Sequence, residues 1–580
     1  VDKTLLQPQT VKNKAGGSAY ELSKREALAQ YAATGFFGST YYTDASEQLD
    51  EVKKLCEGLD NEFIAKCAVY ARQQGKLKDM PAYLLAVLAS RYEPNKPNPW
   101  FGRAFPHVID NGKMLRNFVQ IVRSGVTGRK SFGHQPRRLI EGWLNSRHPM
   151  SLLRDSIGED PSLAYIIRTI RPALGDNARH SLFGYLLGKE TVLAKPRMPS
   201  KAHSPKSPRN IDRAVIAQII ERQQKRNLPY ILDEEAGTVL CTKYDSNLLP
   251  DAIKAYEHFK KTREGAVPDV DFRMLDSLGL DDDEWSEVAA RASWTMTIKN
   301  LNTFKRHGVF ARPALIELIA ERLANKELVQ KAKVFPYQIL SAYRAISEAP
   351  PTPAWRFTSP QAAVDMPISI VEALSSALDH ALENVPYLDG DVAICLDVSG
   401  SMSSPVTGVR KGQTTKVRCI DAAALFAAAF HKRSKRALIL PFDTKCYEAQ
   451  IGKEATTLNL ATRLSAFGGG GTNCELPLVE MNKRGLKPDI VVYVSDNESW
   501  AGAYYSGTTG MMAEWKKLKA RSPKSKLVCI DIAAGTSAQV TSTPDRLNIG
   551  GFSDSVFTVV ADFLSGATKN WVGVIEATEL

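Results

Sequence analysis

The chain has 580 residues, 44% of them hydrophobic and 24% charged, with a formal net charge of +12. That composition is ordinary for a soluble globular protein, and the length fits three or four domains, or a long repeat array plus one domain. No uncharged apolar run reaches the roughly 18–20 residues that span a bilayer.

The charge is unevenly placed. Residues 361–580 hold 22 basic and 23 acidic side chains, which leaves 53 basic against 40 acidic in residues 1–360. A polyanion such as RNA or DNA is the partner this asymmetry suggests for the first part; a basic surface that only aids solubility is the alternative. The eight cysteines are scattered and none forms a C-x-x-C pair. They read as small buried hydrophobes in a reducing, cytoplasmic compartment rather than as zinc ligands.

Residues 1–20 are polar, without a signal-peptide pattern. From about 20 to 350 the apolar spacing is helical. Phe63, Cys67 and Tyr70 share a face, and Pro81 suits a first helical turn. Further helices are predicted at Met114–Val122, Pro136–Leu144, Ala164–Ile170, Ile211–Arg226, Leu248–Lys261, Trp285–Leu301, Ala314–Ala324 and Tyr337–Ser347. No strand is predicted before residue 390, so residues 1–360 are expected to form an all-α array of helix pairs. Lys195–Arg209 reads as a basic loop and Glu348–Pro360, with its prolines, as a linker. Residues 361–580 form the second expected domain. After a helix at Ile368–Leu382, strands at Val392–Leu396, Arg436–Pro441, Ile490–Val494 and Leu527–Ile532 alternate with helices. Continuous apolar strands in that alternation predict a doubly wound parallel sheet, with ligands at its carboxyl edge.

Two strands end there in hard oxygen donors. Asp397-Val398-Ser399-Gly400-Ser401 follows Val392–Leu396, and Asp496 follows Ile490–Val494. Thr472 follows the run Gly468–Gly471. Such a set suits a hard divalent cation, Mg²⁺ first, with Mn²⁺ or Ca²⁺ as alternatives; the plainer reading is that Asp397 and the serines cap the next segment. No P-loop, H-E-x-x-H or G-x-S-x-G signature is present, and the glycine run does not fit G-x-G-x-x-G.

These strings together resemble a von Willebrand factor A domain with a metal-ion-dependent adhesion site, over residues 386–565. That resemblance implies direct metal binding by Ser399 and Ser401. Asp397, Thr472 and Asp496 then bind directly or through water, and an open position takes a partner's carboxylate. Gly470–Leu478, Ser495–Gly502 and Asn548–Phe552 narrow the likeness to the Ro family, as do Gly35–Tyr42 and Phe132–Leu139 with Trp143, which look like its TROVE module. The family implies a ring of HEAT-like helical repeats followed by the A-type domain. It also implies binding of small Y-like RNA on the outer basic surface and of single-stranded ends of misfolded RNA in the central hole. Its role is RNA quality control as a ribonucleoprotein scaffold, with polynucleotide phosphorylase tethered through the RNA. In the family's Y RNA site, Arg154 takes the first basic place and Arg168 the arginine of a Leu-Leu-Arg motif. Arg171 replaces a histidine, and Gly158 stands where a second base is expected.

The other RNA candidates are Arg129, Lys130, His134, Arg137 and Arg138, which supply cations beside Phe132 and Trp143, and Lys299 in a weaker cluster with Lys305, Arg306 and His307. The expected protein is a monomeric, non-enzymatic RNA binder with one divalent cation and no membrane partner. Two alternatives stand beside it: a metal-dependent protein-adhesion scaffold with an incidental basic surface, and a Mg²⁺-dependent RNA-processing enzyme.

Overall fold

The computed structural model describes residues 10–580 apart from 36, 38–40, 43, 92–97, 158–160, 173–176, 188–190, 194–216, 219, 222–223, 226–229, 234–237, 243, 333–335, 348–365, 408–416, 453–454, 503–506, 534 and 554. The basic loop at 195–209, Gly158 and the linker at 348–360 lie outside the described residues, as does most of the helix predicted at 211–226. Two compact units divide the chain: residues 1–108 with 281–580, and residues 109–280. Among the described residues no helix is long and apolar enough to cross a membrane.

The first unit holds the expected parallel sheet. Strands β6 (Leu388–Asp397), β7 (Ser434–Phe442), β8 (Ile490–Ser495), β9 (Lys526–Asp531) and β11 (Arg546–Gly550) form one parallel sheet in the order β11-β9-β8-β6-β7. Residues of β8 are buried throughout, as are the last six of β6, because helices cover both faces. On one face Cys395, Tyr493 and Leu440 pack against Trp515, Leu518 and Leu478. Phe426, Phe430 and Phe557 form a separate aromatic cluster. The strand order reverses at β6, which leads by the helix Cys419–Lys432 to β7 on one side while β8 lies on the other. The sheet's switch point therefore falls between the tips of β6 and β8, where Asp397 and Asp496 stand.

The expected division at residue 360 marks a change of sequence character, not of compaction. The first unit is stitched across it. β1 (Thr10–Lys12) and β2 (Ser18–Glu21) form a hairpin, and β2 also pairs antiparallel with β10 (Ser537–Ala538), Tyr20 opposite Ala538. Arg344, in the helix Pro336–Ser347, donates to the buried Asp421 at 2.6 Å, and Arg418 grips the same carboxylate at 2.9 and 3.2 Å. Tyr337 meets Phe552 edge-on, 5.2 Å between centroids.

The helices of this unit start where capping chemistry says they should. Ser23 with Glu26, Asp44 with Glu47 and Asp281 with Glu284 form reciprocal capping boxes. The single helix expected over Trp285–Leu301 is two, Asp282–Arg291 and Trp294–Arg306. Ser293 breaks it, because its hydroxyl accepts the Met296 N–H and caps a new helix.

The second unit contains the predicted helices as Gly112–Ser124, His134–Ser146, Leu163–Ile170 and Asp251–Thr262, with Pro149–Ser156 and Asn177–Leu186 between them. It also corrects the all-α expectation. β3 (Thr191–Leu193), β5 (Thr238–Thr242) and β4 (Tyr230–Asp233) form a three-stranded antiparallel sheet. Each run of β-branched and aromatic residues is only three to five long, too short for its alternation to stand out against the helical pattern around it.

Candidate cation site and basic surface

Three loops at the carboxyl edge of the parallel sheet are tied together by backbone. Gly400 N–H donates to Gly470 C=O at 2.9 Å and Gly469 N–H to Val398 C=O at 2.8 Å, joining the Asp397–Ser401 loop to the glycine run. Asp443 supports that run from beneath, accepting the Gly470 N–H at 3.0 Å. Trp500 and Ala501 N–H groups both donate to Thr472 C=O at 3.0 Å, and the Cys474 N–H reaches Ser499 Oγ at 3.1 Å, joining the glycine run to the loop after β8. The five expected residues Asp397, Ser399, Ser401, Thr472 and Asp496 are all buried on these three loops.

Within the site, Asp397 Oδ1 accepts the Ser399 N–H at 2.9 Å and Oδ2 accepts the Ser495 hydroxyl at 2.5 Å. Ser399 and Ser401 hydroxyl oxygens lie 3.1 Å apart. Burial and then the charge of Asp496 push the Asp397 carboxyl up to about 7. Burial likewise raises Asp496, against hydrogen bonds from Ser401 and the Glu498 N–H. Glu498 is pushed up to about 7 by burial and by Asp496. Two buried carboxylates, both raised by burial and one of them also by the other, form with the paired hydroxyls a site that a divalent cation would relieve of its electrostatic penalty. Among the described residues no three His, Cys, Asp or Glu side chains converge as a metal cage. The donor set here is instead rich in hydroxyls, so the fit is to a hard, partly hydrated ion.

Sequence reasoning missed three participants. Ser495 is the residue before Asp496, and its place at a strand tip beside another strand's acid was the available signal. Glu498 follows two residues on. Tyr42 had no local signal: burial, and then the charge of Asp496, pushes its hydroxyl up to about 12.

In the second unit, two clusters that are separate in sequence meet. Arg137 Nη2 donates to Thr169 C=O at 3.0 Å, and Arg168 Nη2 to Leu187 C=O at 3.3 Å. Arg171, at φ 53°, closes the helix Leu163–Ile170 with its N–H on Ile167 C=O. Arg123 stacks over Tyr165, 4.7 Å from its centroid. Four arginines thus gather around one helix, three of them near its C-terminal end, where the helix dipole favours cations. Arg138, His134 and Lys130 are exposed nearby in sequence, Lys130 with its stem against Gly125. Arg129 folds its guanidinium over Gly133. Arg154 is exposed beside Asp155, 3.5 Å away, and Arg273, which sequence reasoning overlooked, donates to the Arg154 and Ile157 carbonyls. Lys299 is exposed but belongs to the other compact unit. Its neighbour His307 stacks on Trp285, 4.9 Å between ring centroids, a packing role rather than a ligand-facing one.

Helical elements, and a parallel-sheet domain with an Asp-x-Ser-x-Ser strand tip, resemble the TROVE and von Willebrand factor A domains. The chain matches the Ro60 vWA domain over residues 392–564 and the TROVE domain over residues 268–354. It is 23% identical over 582 residues to the RNA-binding protein RO60 of Deinococcus radiodurans, covering 97% of this chain and 96% of that one. To the RNA-binding protein RO60 of Caenorhabditis elegans it is 21% identical over 601 residues, covering 96% and 90%. The crystal structure of the Deinococcus radiodurans RO (RSR) protein superposes with a TM-score of 0.59 at 20% identity, over 94% of this chain and all of that one, and so shares its fold.

Proposed function

We propose that this chain binds RNA through the arginine-rich surface of residues 109–280, acting as a binder and scaffold rather than a catalyst. The observation that carries the reading is the convergence of Arg123, Arg137, Arg168 and Arg171 around one short helix, in a chain whose relatives are named RNA-binding proteins. Small Y-like RNA and the single-stranded ends of misfolded RNA are the ligands the family suggests, with RNA quality control as the process and polynucleotide phosphorylase as an RNA-tethered companion. The protein would act as a monomer in the cytoplasm. Sequencing of copurifying RNA identifies the ligand. Filter binding should then weaken by roughly 10³-fold between 50 and 200 mM salt if several phosphates are neutralised, and Arg138→Glu with Arg171→Glu should flatten that slope. Salt-independent binding would sink the reading.

Asp397, Ser399, Ser401, Thr472 and Asp496 would hold one divalent cation, Mg²⁺ by the hardness of the donors, with Mn²⁺ and Ca²⁺ as alternatives. When bound, the ion supplies a Lewis-acidic position for an acidic oxygen from a partner, such as a protein carboxylate. The chain's own part is to hold the hydroxyls and carboxylates in register through the three stitched loops. Isothermal titration with Mg²⁺ tests it: Asp397→Ala should abolish binding and leave most RNA affinity intact.

A further inference from the structure

A cavity of about 280 Å³ lies beside the loops at the carboxyl edge of the parallel sheet, within the first compact unit. The β1–β2 hairpin forms one wall, the loop after β8, with Trp500 and Gly502, a second, and Asn473 with Glu475 a third. The hairpin is fixed there by Asn13, whose Nδ2 donates to Ser499 C=O at 2.8 Å. Glu475 is 8% exposed. Asn473 holds it in place: Asn473 Oδ1 accepts the Glu475 N–H at 3.2 Å, and Nδ2 donates to Glu475 Oε1 at 3.4 Å. Gly502 keeps this carboxylate clear of side-chain atoms, since a Cβ there would lie 3.4 Å from the Glu475 carboxyl and 3.0 Å from Asn473 Oδ1. Trp500 is 52% exposed, and its N–H on Thr472 C=O at 3.0 Å fixes where the indole starts. The ring lies against Gly471, where a Cβ would meet it at 2.5 Å.

Three features define what this cavity accepts. Glu475 is the one carboxylate on its wall among the described residues, and a buried carboxylate calls for a cationic group that donates hydrogen bonds. Trp500 offers an indole face, the best aromatic partner for a cation. The volume falls just below the roughly 300–1,000 Å³ of pockets that bury a whole small molecule, so it suits a single side chain. A guanidinium meets all three demands. Its fork matches a carboxylate and its plane stacks on an indole, whereas an ammonium is a point charge without the fork. Lys12, the other charged side chain on the wall, is exposed, so its charge stays in water. We propose that this cavity receives an arginine side chain of a partner protein, its guanidinium paired with Glu475 and stacked on Trp500. The slot depends on neither a bound ion nor the RNA surface.

The test uses full-length protein and N-acetyl-arginine methylamide, followed by ligand-observed NMR titration. Wild type should bind this probe saturably and as tightly as free arginine. The capped lysine should bind more weakly by roughly threefold or more, for want of the fork. Trp500→Ala and Glu475→Gln should each weaken the arginine probe by about tenfold, and Trp500→Phe should recover part of the loss. Trp500 is half-exposed, so its variants test the slot even if Glu475→Gln fails to fold; thermal melts check both. Lys12→Ala should leave binding unchanged or strengthen it. No binding by wild type, or binding indifferent to Trp500→Ala, overturns the slot. Free arginine bound about tenfold more tightly than the capped form would make the ligand a metabolite and overturn the protein partner. Displacement of the probe by guanosine monophosphate, or weaker probe binding in Lys12→Ala, would make the cavity a nucleotide site and overturn the arginine.

Discussion

The Ser495 hydroxyl donates to Asp397 Oδ2 at 2.5 Å, across the tips of two adjacent parallel strands. The register that makes this contact is set over the five preceding pairs, where Val392 to Leu396 run beside Ile490 to Val494. A one-residue slip would turn the serine away and bury the acid without a donor. The bond lowers the proton affinity of a carboxyl that burial and Asp496 otherwise raise. Ser495→Ala should therefore leave Asp397 more fully protonated at neutral pH, and a proton competes directly with a cation. Loss of a buried hydrogen bond to a charged group costs about 1.5–3 kcal/mol, so Mg²⁺ affinity measured by calorimetry should fall by about tenfold or more. An unchanged affinity would mean that Ser495 only packs there.

Asp531, at the end of β9, is buried and held well above the usual carboxylate range, first by burial and then by Asp496 and Glu498; Gln30 Nε2 donates to it at 3.3 Å. In the unfolded chain an aspartate titrates near ~4. Between that value and the higher folded one, the folded protein keeps a proton that the unfolded chain releases. Stability from this group is thus full below about pH 4 and is lost as pH rises through the folded value. Asp531→Asn mimics the protonated acid. Its melting temperature should match wild type near pH 4–5 and exceed it increasingly up to pH 8; a gap that shrinks with pH would contradict this sign.

Asp421 accepts from two arginines, one on either side of the expected domain boundary. Asp421→Ala leaves the mostly buried Arg344 guanidinium without its carboxylate. Removing one partner of a buried pair costs about 3 kcal/mol, which should appear as an earlier urea midpoint. Asp421→Asn, which keeps the acceptor oxygen, should recover part of the loss.

Gly17 approaches the Ser499 carbonyl so closely that a Cβ there would lie 2.0 Å from its oxygen. Gly17→Ala should push the β1–β2 hairpin off the loop after β8, at a cost of about 1–3 kcal/mol. Gly471→Ala meets only the Trp500 ring, a half-exposed side chain that can rotate. Thermal melts of the two variants should separate clearly, with the first much the less stable.

The parallel sheet was legible because β6 and β8 are buried on both faces and so read as unbroken apolar runs that stop at an acid. Asp397, Ser399, Ser401, Thr472 and Asp496 followed from that stop and from the glycine run. Tyr42 was not legible, since the influence of Asp496 on it links distant parts of the chain and leaves no local pattern. The same holds for the pairing of Tyr20 with Ala538. The strands at 191–193, 230–233 and 238–242 were too short to show a period. The basic clusters were visible in sequence, but their convergence on the helix Leu163–Ile170 was not: it rests on Arg137 reaching Thr169.

The pairing of β2 with β10 also has a meaning for biosynthesis. Asn13 and Ser499, which the same hairpin brings together, are 486 residues apart. At roughly 5–20 residues per second of synthesis, the N-terminal hairpin waits on the order of half a minute or more for its partner strand to leave the ribosome. During that interval β2 has an unpaired edge, a template for wrong association. Nascent chains would therefore need shelter from a chaperone, and C-terminal truncations that remove Ser537 and Ala538 should aggregate rather than merely lose the sheet domain.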